Sequence, residues 1–373
     1  MKIAKIEYIP IRVPKIGTKD GQFKTALGNN PFGDAAIVLM HTDDDNVGIG
    51  EVSSIWDSYG SGLVRSIGQK IADSVIGLDI YHITEALARM DKAVAWSRNA
   101  LCLKAGIEMA MYDLIGRTKD LPVYELLGGK RRDAIPLSHS VAMGSLEERV
   151  AQVEKHVKAG FKTVKVKVGL DFENDLATVR AIRRQFGNEL GIRVDANMGW
   201  RDEKALIYVA KELEKLGVLS IEQPFGPDEL DKLASLRTRC PIPLMLDESI
   251  WGPEDALRAI RKDAGDIFNV YVSESGGLYK AMEIANMCSL AGVGFAIGSM
   301  PEFGIGTAAE VHLGAAAPSI DHPSDVIGNQ YFADDIINET LPLKDGCALT
   351  LDKPGLGVSL NWDKVNKYRT DKK

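Results

Sequence analysis

Residues 163–168 read Thr163-Val164-Lys165-Val166-Lys167-Val168, an alternation that places three valines on one side of an extended chain and two lysines on the other. Valines of this kind pack outward under helices, which turns both lysines inward. Similar short runs recur downstream at Ile192–Ala196, Leu219–Glu222, Pro243–Leu246, Ile267–Val272 and Val293–Ile297. Longer amphipathic stretches separate them, among them Asp171–Phe186, Arg201–Leu216 and Gly277–Ala291. Such βα repetition implies a parallel sheet with helices outside it. Residues 167, 195, 222, 247 and 271 stand at the ends of successive strands, 28, 27, 25 and 24 positions apart. That regularity fits a barrel better than an open sheet, whose strand order has to reverse.

Before residue 130 the pattern is that of an α+β unit. Ile3, Ile6, Tyr8 and Ile11 suggest a first strand, and Ala35–His41 is an apolar run able to pair with it. The acidic cluster Asp43-Asp44-Asp45-Asn46 reads as a solvated turn between strands. Residues from Lys15 to Phe32 show no clear period and are expected to form a long loop over a site. Helices are expected over Gly62–Ile76, Ile83–Ala95 and Ala100–Arg117, with Leu103, Ile107, Met111 and Leu114 at helical spacing in the last.

The chain has 373 residues, enough for a barrel and a smaller domain, with 45% hydrophobic and 26% charged residues. A net charge of −7 gives no basic field for nucleic acid. Four scattered cysteines without CxxC pairing argue against structural zinc and disulfides. The amino end alternates like a strand and lacks the apolar core of a signal peptide. No run approaches the ~18 apolar residues needed to span a bilayer. A cytoplasmic protein acting on a small molecule, without membrane or nucleic-acid partners, is expected. No phosphate-binding glycine fingerprint follows a strand, so no nucleotide cofactor is indicated.

In a barrel the site lies at the carboxyl ends of the strands. Those positions hold Lys165 and Lys167, then Asp195, Glu222 and the pair Asp247-Glu248. Three acids converging on one mouth repel unless a divalent cation neutralises them, and oxygen-only ligands suit Mg²⁺. Two adjacent ammonium groups are expected to depress one another's pKa, so that one serves as a base. A metal-held substrate carboxylate would stabilise the enediolate left when the α-proton departs. His139, near the end of the first barrel strand, either packs or faces the site. The other histidines have no metal-like spacing.

Taken together, Lys165-Val166-Lys167, Asp195-Ala196-Asn197, Glu222-Gln223-Pro224, Asp247-Glu248-Ser249 and the run from Gly298 to Ala309 resemble the enolase superfamily, in its muconate lactonizing enzyme (muconate cycloisomerase) subgroup. Gly48-Ile49-Gly50-Glu51, Leu126-Leu127-Gly128-Gly129 and Pro354-Gly355-Leu356-Gly357-Val358 are similar to its further signatures. The resemblance implies an α/β protein: a modified (β/α)7β TIM-type barrel (131–345) under an α+β capping domain (1–130, completed by 346–373). It implies Asp195, Glu222 and Asp247 as Mg²⁺ ligands, Lys167 as acid/base catalyst and Lys165 tuning it. Glu302 matches a family residue near the substrate, and a homo-oligomer is suggested. Asn197, Asn269, Glu248, Ser299 and Met300 are the expected substrate contacts around these groups. Trp56 and Tyr59, beside a cap loop, either shield the substrate or pack; Lys24 and Arg98 are possible partners for an anionic group. No histidine follows the seventh strand where the mandelate racemase subgroup would need one.

One position departs from the pattern. The subgroup usually carries a second lysine on the sixth strand, and here Asn269 and Gly276-Gly277 keep register while Tyr271 occupies the lysine's place. Tyrosine, with a reference pKa of ~10, is a poor base and a workable donor. Chemistry on the Lys167 face alone favours cycloisomerisation or β-elimination. The alternatives are a racemase or epimerase using Tyr271, a Schiff-base aldolase on Lys167, and a metal-binding barrel without turnover.

Overall fold

The computed structural model describes residues 1–16, 23–29, 31–53, 59–94 and 100–372. Three antiparallel strands open the chain, β1 (Ile3–Pro14), β2 (Phe32–Thr42) and β3 (Val47–Ser53), in that spatial order. Their two faces divide the apolar residues. Ile9, Ile11, Val13, Ile37 and Leu39 join the core that continues into the barrel, while Ala36, Val38 and Met40 face helices. The acidic run makes the β2–β3 turn, with Asp45 at a left-handed φ of 63° and the Thr42 hydroxyl 2.5 Å from the Asp44 carboxylate.

Helices α1 (Gln69–Val75), α2 (Ile83–Ala93) and α3 (Ala100–Lys119) pack on this sheet. α3 is buried without a break from Cys102 to Gly116, so each polar group it carries needs a partner. Lys104 pairs with Asp91 at 2.5 Å, and Glu108 accepts from the amides of Leu278 and Tyr279 at 2.8 and 2.7 Å. Asp113 accepts from the amides of Ile49 and Leu356, each at 3.0 Å, and from Arg117 Nε at 3.0 Å. One carboxylate thus ties the first sheet, α3 and the distant carboxy-terminal segment together. Gly50 lets β3 lie against α3, because a Cβ there would run into the Gly106 carbonyl.

Seven parallel strands follow: β4 (His139–Val141), β5 (Thr163–Lys167), β6 (Gly191–Asp195), β7 (Val218–Glu222), β8 (Leu244–Leu246), β9 (Ile267–Val270) and β10 (Gly294–Ile297). They pair in strict chain order. Helices α4 (Leu146–Lys158), α5 (Phe172–Phe186), α6 (Glu203–Lys215), α7 (Leu230–Arg237), α8 (Pro253–Lys262), α9 (Leu278–Ala291) and α10 (Gly304–Ala316) connect and cover them. Side-chain caps start several of these, with Ser145 and Glu148 forming a capping box on α4 and Asp171 and Asp202 capping α5 and α6.

The eighth position is filled by the extended segment 321–325. Asp321 and Asp325 donate their amides to the Phe295 and Ile297 carbonyls at 2.9 and 2.7 Å, while Ser324 exchanges bonds of 2.8 Å with Pro136 and Ser138. The curled sheet is therefore closed between β10 and β4, a (β/α)7β barrel. The lengths of two expected elements differ. The sixth strand stops at Val270, because residues 272–275 turn into a short helix with Tyr271 at its N-cap. The segment expected as a plain loop holds a hairpin, Lys24–Thr25 against Gly28–Asn29, whose Lys24 carbonyl accepts from Met143 on the barrel at 2.9 Å. No helix among the described residues is long and apolar enough to cross a membrane.

Replacing Asp113 by alanine orphans two buried amides and Arg117. The expected cost is about 3 kcal/mol in urea unfolding, together with faster proteolysis of the segment after Pro354. Unchanged stability would show that the latch contributes nothing.

Candidate active site

The alternation along β5 works as it reads. Val164, Val166 and Val168 are buried in the outer core, and Lys165 and Lys167 point into the barrel mouth. Parallel pairing brings Lys167 level with Asp195 and Asp195 level with Glu222, while Asp247 follows the end of β8. One carboxylate oxygen from each of Asp195, Glu222 and Asp247 lies within 4.8 Å of the others. The turns that hold them are unusual, since Asn197 and Gln223 sit at φ 39° and 31°. Gln223 repays that strain: its side-chain carbonyl accepts from the amides of Asp247 and Ser249 at 2.9 and 3.3 Å, fixing the turn of one acid to the strand of another.

Beneath the acids lies a buried network. Lys165 Nζ is 2.5 Å from Asp325, 3.3 Å from Glu222 and 3.7 Å from Asp195. Arg193, fully buried, reaches Glu222 at 2.6 Å and Asp325 at 3.2 Å, and Ser138 donates to Asp325 at 2.7 Å. Burial works to lower the Lys165 ammonium, and the carboxylates of Asp325 and Glu222 outweigh it, so Lys165 is held well above its ordinary range. The expected mutual depression by a neighbouring lysine is overridden there, and Lys165 is a permanent cation. Burial likewise works to raise Glu222, and Lys165 and Arg193 hold it far below the carboxylate range.

Asp247 behaves in the opposite way. Burial, followed by the crowding of Glu248, Glu222 and Asp195, pushes it well above the usual range. Its carboxylate accepts no hydrogen bond among the described residues. Glu248 is pushed up to about 8 by burial and Asp195, and bonds Asn197 Nδ2 at 3.1 Å. A buried, oxygen-only set with one unpartnered carboxylate fits a divalent cation, which supplies the missing counter-charge. Three basic side chains (Lys165, Lys167, Arg193) face the carboxyl groups of Asp195, Glu222 and Asp325, and Asp247 with Glu248 is the side of the cluster where acids crowd together and a divalent ion would relieve them.

Lys167 Nζ lies 2.5 Å from Asp195 and 3.0 Å from Asn197 Oδ1. Across the mouth, on the sixth of eight positions against the second, stands Tyr271. Its ring occupies the place a Cβ of Gly298 would take, and its hydroxyl accepts from Asn269 Nδ2 at 3.4 Å. Burial, then Asp247 and Glu274, push the phenol well above 10, so it keeps its proton at neutral pH. Above these groups is a cavity of about 380 Å³. Barrel residues Asn197, Ser299, Met300 and Tyr331 line it together with Lys15, Phe23, Thr25 and Leu27 from the cap.

Other expected residues fall outside this wall. Glu302 folds back on its own loop, bonding Ser299 Oγ at 2.5 Å and the Met300 amide at 3.0 Å. Asn269 lies deeper, 3.3 Å from Glu222. His139 stacks on His156 of α4 with ring centroids 3.6 Å apart, and burial holds the two near 4 and 3, so they are neutral packing groups. Trp56, Arg98 and the side chain of Tyr59 lie outside the described residues, and Lys24 is exposed. Arg193, Asp325 and Lys15 were not anticipated. Arg193 shares strand parity with Asp195, a legible signal; Asp325 stands in an irregular segment and gives none.

Residues 148–364 match the enolase C-terminal domain-like family, and residues 12–128 match the mandelate racemase / muconate lactonizing enzyme N-terminal domain. The chain is 28% identical to an N-succinyl-L-Arg/Lys racemase of Bacillus cereus, over 98% of each chain. It is 32% identical to an L-Ala-D/L-Glu epimerase of Bacillus subtilis, over 96% of this chain and 97% of that one. The structure of a muconate lactonizing enzyme from Pseudomonas fluorescens, complexed with muconolactone, superposes with a TM-score of 0.93 at 29% identity over 99% of each chain. The fold and site define a barrel enzyme of the enolase superfamily. Within it, the chain belongs to the mandelate racemase / muconate lactonizing enzyme family, whose members act on small-molecule carboxylates.

Asp325→Asn removes the nearest anion from Lys165, which then competes for Glu222. Affinity for a divalent cation, measured by calorimetry with Mg²⁺ as the probe, is expected to fall about tenfold. An unchanged affinity would mean that Asp325 serves only to close the barrel.

Proposed function

We propose that this chain is a Mg²⁺-dependent enzyme that takes the α-proton from a carboxylate substrate with Lys167 and proceeds to cycloisomerisation or β-elimination. Asp195, Glu222 and Asp247 would hold the ion, in a barrel of residues 131–345 beneath a cap of residues 1–130 and 346–373. The ion, when bound, stabilises negative charge developing on the substrate carboxylate. Lys165 adds a fixed positive charge behind the acids, and Asn197 orients the Lys167 amine. Ser299 and Met300 form the adjoining wall.

The observation that carries this reading is the asymmetry of the mouth. Lys167 stands on one side, and on the other Tyr271 is a phenol that retains its proton. Reversible inversion needs a group on each side able both to give and to accept a proton at the working pH. Tyr271 can give one, and taking one is costly. The second reading is a racemase or epimerase, favoured by the names of two of the relatives and by the position of the Tyr271 hydroxyl opposite Lys167.

The test is α-proton exchange across a panel of carboxylic acids in D₂O with Mg²⁺, with product stereochemistry followed in parallel. Deuterium uptake or elimination without inversion is expected. It should be abolished by EDTA and reduced at least ~10³-fold in Lys167→Ala. Inversion at the α-carbon would replace the first reading by the second, while turnover that survives EDTA would exclude both.

Tyr271→Phe should lower overall turnover about 10- to 100-fold while leaving Lys167-dependent exchange in place. Equal turnover in the variant would show the hydroxyl to be idle.

A further inference from the structure

Helix α4 turns Arg149, Val153 and His156 into the core, the spacing of one helical face. The first of them is a guanidinium, 1% exposed, at a position where an apolar side chain is due. Arg193, buried as completely, is accounted for by Glu222 and Asp325. Arg149 has no carboxylate in ion-pair contact among the described residues, and its Nε has no partner there. Its Nη2 donates to the backbone carbonyl of Lys167. Burial works to lower the guanidinium, and Asp175 on α5 opposes it through space.

The Lys167 carbonyl ends β5, and the residues after it lie against the turn that follows β6. Val168 donates its amide to the Asp195 carbonyl at 2.8 Å, and a Cβ on Gly169, at φ 118°, would strike the Ala196 carbonyl. One oxygen of Asp175 accepts from the Gly169 amide at 2.9 Å and from Trp200 Nε1 at 3.0 Å, which ties the two turns together. Those turns carry Lys167 and Asn197, whose Oδ1 lies 3.0 Å from the Lys167 amine. Asp175 thus grips the chain just after Lys167, and Arg149 grips Lys167 itself.

We infer that Arg149 is a positioning residue for Lys167: by fixing that residue's carbonyl it sets the direction in which the side chain leaves β5 for the cavity. The consequence for turnover rests on the reading given under Proposed function; the placement of the side chain does not. A buried guanidinium is costly, and an apolar residue on this face of α4 would pack without that cost, so the charge serves something besides packing. An amine on a flexible four-carbon stem is aimed by the Cα–Cβ direction, and a tilt there is magnified at Nζ. A displacement of about 1 Å at a reacting group costs about 10²-fold in rate. Lys165 is held separately by Asp325, which confines the effect to Lys167.

The test compares the wild type with Arg149→Met, which keeps the volume and removes the donors, and with Arg149→Lys, which keeps a charge and a donor. In crystal structures of the Mg²⁺-soaked proteins, the Lys167 amine is expected about 1 Å farther from Asn197 Oδ1 in Arg149→Met, with Lys165 in place. With the carboxylic acid that exchanges fastest in D₂O, kcat for α-proton exchange should fall about 10- to 100-fold at unchanged KM and Mg²⁺ affinity. The isotope effect on the α-deuterated acid should rise as proton removal comes to limit the rate. Arg149→Lys should fall between the two on each count. A Lys167 amine that keeps its wild-type place, or a loss of rate that follows KM, Mg²⁺ affinity or melting temperature, would overturn the inference. If Arg149→Met does not fold, Arg149→Lys decides alone, and a wild-type rate with a wild-type isotope effect overturns it. Absence of Mg²⁺-dependent exchange with every acid would overturn the proposed function, and the crystal structures would still decide what places Lys167.

Discussion

Seven titratable groups share the floor of this barrel, and the cost of burying them shapes everything above it. A carboxylate taken out of water needs a counter-charge or a proton, and the floor uses both solutions. Glu222 is held ionised by Lys165 and Arg193, whereas Asp247 has only acids around it and is pushed toward protonation. The difference divides the cluster into a part completed by the protein and a part left for a cation. Asp325 completes the first part. It holds Lys165 and Arg193 at once while its own backbone closes the barrel between β10 and β4. Charge balance and barrel closure therefore depend on one residue.

The same economy governs the junction between cap and barrel. Glu108 on α3 accepts from the first amides of α9, and Glu51 at the end of β3 accepts from the amides of Phe303 and Gly306 at 2.7 and 2.8 Å. Each is a buried carboxylate placed where a barrel helix begins and its amides have no helical partner. Burial raises Glu108 to about 8 and Glu51 to about 7 despite these bonds. The cap is thus seated by hydrogen bonds to helix starts as well as by apolar contact. Its sheet is aligned closely enough that the row Ile9, Ile11, Val13 delivers Lys15 over the mouth.

What could be read in advance was what repeats. Lys165, Lys167, Asp195, Glu222 and Asp247 stand at the ends of evenly spaced strands, so period and topology alone assign them to one mouth. Arg193 is legible by the same parity argument, standing two residues before Asp195 on the same face of its strand. Asp325 could not be found that way: the segment 321–325 has neither alternation nor a following helix, and it becomes a barrel element only through bonds to β10 and to residues 136 and 138. Lys15 was hidden by its neighbours. A Gly- and Lys-rich stretch reads as a loop from its first residue, although the strand geometry persists through Lys15. Glu302 bonds the Ser299 hydroxyl and the Met300 amide within its own loop, contacts that no period in the sequence announces.

Tyr271 shows why the departure from the family pattern matters physically. An ammonium at this position would stand beside Asp247, Glu222 and Asp325 and relieve their repulsion, adding a cation to the floor. The phenol adds none, and the same acids raise it further. The exchange therefore leaves the floor more negative and increases its demand for a divalent ion. It also leaves a phenol that keeps its proton where an amine would stand. The ring needs more width than an alkyl chain, and that width comes from Gly298, where any Cβ would strike the ring. Glycine on β10's end and tyrosine after β9 thus form one steric unit. A lysine in place of Tyr271 would change the charge balance and the space together.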